Sequence, residues 1–139
     1  MDQTIIFFFA AIIIVGGLLF AVVELTKKSV KHLDVDRYRV KWLAIEQQLK
    51  KNEPSSYHLV VLNADKLLDQ ALKERGTKGE TMGERMKSGA SLFSNRNNIW
   101  TAHKLRNQVA HETDVRVSYD AARQALAGFK QALKDIGAI

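Results

Sequence analysis

The chain contains no cysteine, so disulfides and thiolate metal sites are excluded. It has a single proline, Pro54, and almost no alternating strand pattern. Charge is missing from residues 4 to 23, which read TIIFFFAAIIIVGGLLFAVV. No Lys or Arg precedes that run, and no small-x-small cleavage site follows it, so a cleaved signal peptide fits poorly. A soluble core helix of this length would carry a polar stripe, and this run carries none. A length of 139 residues leaves room for one further domain.

What is present is first a membrane-span pattern. Twenty apolar residues at about 1.5 Å each cover about 30 Å, the thickness of a bilayer's hydrocarbon core. We therefore expect a single transmembrane helix over residues 4–24. Asp2 lies before the run, and Lys27, Lys28 and Lys31 lie after it. By the positive-inside rule this predicts a single-pass protein of the cell membrane, with its N-terminus outside and its C-terminal domain cytoplasmic. The absence of cysteine agrees with that compartment.

All 21 Lys and Arg follow the apolar run, against 14 Asp and Glu once Asp2 is set aside, a net charge of +7 with His neutral. Two partners suit such a charge. Anionic membrane lipid is the default for the juxtamembrane lysines, and RNA or DNA phosphates suit a basic domain.

Beyond the span, residues 25–33 form a connector, expected to continue the helix, and residues 34–139 form an all-α domain. Tyr38, Trp42, Ile45 and Leu49 mark one buried face of a helix over 34–51. Pro54 suits the first turn of a second helix, over 55–75, with Val61, Ala64, Leu68, Ala71 and Leu72 inward and Gly76 as its C-cap. Residues 76–95 are glycine-rich and less regular, with a short helix near 81–87. Met82 and Met86 form a small packing face there, and Leu92 and Phe93 pin the segment to the core. A third helix, over 96–112, buries Ile99, Ala102, Leu105 and Val109. A fourth, over 118–136, starts at Ser118 as N-cap and buries Ala122, Ala125, Phe129, Leu133 and Ile136. Four helices with short connections predict a small four-helix bundle.

One segment carries chemistry, KLRNQVAHE at residues 104 to 112. His103, Asn107 and His111 are expected on the face away from the core, with Arg106 on the flank. The bland reading is a solvated helix face, and His103 is assigned to it. Asp65 and Asp69, four apart on the second helix, could support a site there, but are read in the same way, as solvated flank residues. No zinc pattern exists: the histidines are eight apart and there is no HExxH.

The run Arg106-Asn107-Gln108-Val109-Ala110-His111, on the penultimate helix and followed by Glu112, resembles the HEPN superfamily. The resemblance covers residues 34–139 and implies a four-helix HEPN-like bundle. Many such domains are metal-independent endoribonucleases of toxin–antitoxin or antiviral systems. They act as homodimers whose two motifs form one site.

Carried onto this chain, the resemblance implies three catalytic residues. His111 would be the general acid or base, a role suited to the ordinary histidine pKa of about 6.5. Arg106 would hold the scissile phosphate, and Asn107 would orient one or the other. No metal or cofactor is implied. An antitoxin or other regulatory protein is a further expected partner, unidentified. Thr113 stands where one toxin subgroup has tyrosine, which argues against that subgroup. Other members of the superfamily have lost catalysis and dimerise or bind RNA or protein, and that alternative stays open here.

Overall fold

The computed structural model describes residues 2–26 and 31–139, which divide into an N-terminal unit and a compact unit from Lys31 onward. The N-terminal unit is one helix, α1 (Gln3–Thr26), with none of its residues buried. Its Phe, Ile, Leu and Val side chains are exposed. By length and composition α1 can cross a membrane.

The expected helical connector is borne out only through Thr26, and residues 27–30, with Lys27 and Lys28, lie outside the described residues. Residues 31–34 are not helical. The cause is local: Asp34 is extended and its carboxylate accepts from the Arg37 N–H, so a new helix is capped there.

The compact unit is all-helical among its described residues, with α2 (Val35–Gln48), α3 (Pro54–Arg75), α4 (Met82–Ser88), a single 3-10 turn (Ala90–Leu92), α5 (Arg96–His111) and α6 (Tyr119–Asp135). The first helix stops earlier than its periodicity suggests. Leu49 turns extended, and residues 50–53 form a tight link into Pro54, which disfavours helical backbone at Glu53 before it. Two side chains of α3 lock that link. The Ser56 hydroxyl sits on the backbone of Lys50 and Glu53, and the Tyr57 hydroxyl donates to the Lys51 carbonyl.

The centre of the unit is α3, which packs against α2, α4, α5 and α6, while α5 also packs on α6. Its burial explains its composition: Val60, Val61, Ala64, Leu68, Ala71 and Leu72 are all inaccessible. Trp42 and Tyr38 from α2, Ile99 from α5, and Phe129 and Leu133 from α6 complete the core. Leu49, Leu105 and Val109 pack at its margin, half-buried. Gly76 closes α3 in the left-handed region at φ +89°, and Gly137 follows α6 at φ +77°.

Candidate functional site

The site is built from three helices. Asp65 and Asp69, four apart on α3, form its floor. From α5 come His103, Arg106 and Asn107, at i, i+3 and i+4, which places them on one side of that helix. From α4 comes Arg85.

The position of α4 is set by a capping box. The Thr81 hydroxyl accepts from the Glu84 N–H, and the Glu84 carboxylate accepts from the N–H groups of Glu80 and Thr81. Those two backbone bonds hold the Glu84 carboxyl below its ordinary range. Gly79 enters this turn at φ +139°, and a Cβ there would fall 2.7 Å from the Arg85 backbone nitrogen, so only glycine fits.

Arg85 is buried. Its Nε and a terminal nitrogen lie 2.7 and 2.6 Å from Asp69 Oδ1, and its other terminal nitrogen donates to the Gly79 carbonyl at 2.6 Å. Lys73 reaches the second Asp69 oxygen at 3.1 Å. Asp69 thus clamps α4 onto α3. Asp65, only 2 % exposed, does the same for α5. Its Oδ1 accepts from His103 Nδ1 at 2.7 Å, and its Oδ2 pairs with Arg106 Nε at 3.2 Å. Asn107 joins the two α5 side chains: its Oδ1 accepts from Arg106 at 2.9 Å, and its Nδ2 lies 3.3 Å from His103 Nε2.

Above these groups opens a cleft of about 880 Å³. Trp100 stands at its edge, its ring edge-to-face with His103 at 6.0 Å. Lys66 and Lys87 line it too, each exposed.

The geometry corrects two expectations. His103 is not on a solvated face but 6 % exposed, because α4 covers that side of α5 and a Cβ on Gly83 would sit 3.9 Å from His103 Nε2. Asp65 and Asp69 are not solvated flank residues, because each is the carboxylate partner of a cation or imidazole from another helix. Arg106 and Asn107 are brought together at the cleft, both half-buried. His111 is not brought to them. It is the last residue of α5, exposed, outside the cleft lining and without a side-chain hydrogen bond among the described residues.

Chemically, the cleft offers a guanidinium, an amide and an imidazole fixed over a buried carboxylate. Compared with protein-family models, with curated proteins and with solved structures, the chain matches none.

Proposed function

We propose that this is a membrane-anchored HEPN-like protein, a metal-independent endoribonuclease acting in stress or phage defence through a dimeric RNxxxH site. One observation carries this reading: Arg106 and Asn107 are fixed at a cleft mouth, while His111 stands unpartnered among the described residues at the end of the same helix. Five helical residues separate Arg106 from His111 by about 7.5 Å along the axis and about 140° around it. One chain does not aim both at one phosphate; two copies related by a two-fold axis can.

In that arrangement Arg106 and Asn107 of one copy hold the phosphodiester. His111 of the other transfers a proton at the ribose 2′-hydroxyl or the leaving 5′-oxygen. Anchoring by α1, N-terminus outside and the helical domain in the cytoplasm, confines the copies to two dimensions and raises their effective concentration for pairing.

The test uses the full chain in detergent micelles with mixed RNA and EDTA. Cleavage leaving cyclic or 3′-phosphate ends is expected, and it is lost in Arg106→Ala and in His111→Ala. An equimolar mixture of the two variants recovers part of the native activity, since about half the dimers are mixed and pair an intact Arg106 of one copy with an intact His111 of the other. Full cleavage by either variant alone sinks the reading.

A second reading, a non-catalytic module that dimerises or binds RNA or protein at the membrane, is favoured by one observation. Arg106 is already engaged within its own chain by Asp65 and Asn107. Salt-sensitive RNA binding without cleavage would select it.

A further inference from the structure

Asp65, His103, Asn107 and Arg106 close on one another in a ring of three hydrogen-bonded contacts and one ion pair. Two members fix its polarity. A carboxylate only accepts and a guanidinium only donates. Asn107 must therefore turn its oxygen to Arg106 and its NH2 to the imidazole. His103 must keep its one proton on Nδ1, for Asp65, and offer a lone pair at Nε2 to Asn107. The distances of 2.7, 3.3 and 2.9 Å around the ring fit this single assignment.

We infer that the ring is a proton-controlled hold on Arg106, with Asp65 and His103 as positioning residues lying outside the RNxxxH motif. A second proton, taken from solvent at His103 Nε2, sets donor against donor at Asn107. If the amide rotates by half a turn to accept it, the NH2 group meets the Arg106 guanidinium, again donor against donor. Whichever way Asn107 turns, one contact fails. Asp65 keeps the imidazolium as an ion pair, so the break falls on the Asn107 side of the ring. With the amide turned, Arg106 loses its Asn107 acceptor, and that N–H becomes free for an anionic oxygen in the cleft.

The charged groups sharing the cleft with His103 are Asp65, Lys66, Asp69 and Lys73 from α3, Glu80 just before α4, Glu84, Arg85 and Lys87 from α4, and Arg106 from α5. Of these only Asp65 and Arg106 belong to the ring; Asp69 is held by Arg85 and Lys73, and Glu84 by its capping box. Coupling between two sites is reciprocal. A phosphate oxygen on Arg106 accordingly favours the proton on His103. That consequence rests on the reading of Arg106 as the phosphate-holding group; the ring itself does not.

The test is side-chain nitrogen NMR on the uniformly labelled full chain in micelles, followed from about pH 8 to about pH 5, the range in which imidazoles titrate. Neutral His103 is expected as the Nδ1–H tautomer. The signals of the Arg106 terminal guanidinium N–H that meets Asn107 and of the Asn107 amide should shift with the same midpoint as His103, and inorganic phosphate should raise that midpoint. In His103→Gln the new amide donates to Asp65 and accepts from Asn107 but does not titrate, so both signals should hold still. An Nε2–H tautomer overturns the proposal. So do Arg106 and Asn107 signals that stay fixed while His103 titrates, or that move equally in the Gln variant. An unchanged midpoint with phosphate overturns the coupling. If the Gln variant does not fold, the tautomer and the shared midpoint in the native chain decide alone. No RNA enters this experiment, so its outcome is separate from that of the cleavage assay.

Discussion

Removing the Asp65 carboxylate tests whether the site is also a structural joint. In Asp65→Ala, His103 loses the acceptor of its Nδ1–H while remaining buried, and Arg106 loses its ion-pair partner. An unsatisfied buried donor costs about 1–3 kcal/mol. The Arg106 side chain is 34 % exposed and can turn its charge to water, so its share is small. The missing side-chain volume adds a small cavity under α5. Together these give about 2–4 kcal/mol, a large part of a marginal folding free energy. Asp65→Asn keeps the shape and one acceptor but presents an NH2 to Arg106 or His103, and should cost about half as much. The assay is urea unfolding of the full chain in micelles, followed by the near-ultraviolet signal of the buried Trp42. A loss below about 0.5 kcal/mol in the alanine variant, the range of an ordinary surface change, would mean the carboxylate is solvated after all and would refute the joint.

Other expectations follow from single features. Gly128 lies at the α5–α6 contact, where a Cβ would stand 3.1 Å from the Asn98 carbonyl oxygen and 3.5 Å from Ala102 Cβ. In Gly128→Ala the gain in helix propensity, about 1 kcal/mol, is outweighed by overpacking of about 1–3 kcal/mol, so the melting temperature should fall by a few degrees. Asp135 caps Ser94 by accepting from its N–H and hydroxyl, both at 2.8 Å. Burial pushes the Asp135 carboxyl up, but those bonds and Gln131 outweigh it and hold it below its ordinary range. Its stabilising effect is therefore complete above the unfolded carboxyl pKa of about 3.9 and is lost as pH falls through the lower folded value. Urea midpoints of Asp135→Asn should drop at neutral pH and flatten against pH in the acid range. Arg placed at Ile13, mid-way along α1, should cost about 2.5–3.5 kcal/mol of insertion and shift the chain out of the membrane fraction; unchanged partition would argue against a span.

Much of the helical framework was legible because it is written in apolar spacing and caps. Trp42 and Ile45, Val61 and Leu68, and Phe129 and Leu133 each recur at helical intervals, and each is buried. Ser118 and Gly76 act as the N-cap and C-cap their types suggest. The site was legible only in part, since the spacing of one helix shows its own core stripe but not what another helix lays over its far face. Arg106 is four residues beyond Ala102 and seven beyond Ile99, so it lies within about 40° of both, on the core stripe. Asp65 is four beyond Val61, again about 40° away on a helix that is buried around much of its girth. That angular nearness was a usable signal. The cover that α4 gives to His103 was not, because it depends on a seven-residue helix docked by Arg85 onto a carboxylate sixteen positions earlier.

The central place of α3 has a consequence for how the domain comes apart. Local openings expose amides of peripheral elements first and those of the most enclosed element last. The short α4, held by Arg85, its capping box and the buried Met82 and Met86, is expected in the early class, and the middle of α3 around Ala64 and Leu68 in the late one. The anchoring carboxylate of Asp65 is therefore expected on a slowly exchanging segment and the cover of His103 on a faster one. The floor of the cleft should therefore keep its shape through local openings that displace α4, a difference that amide exchange would show.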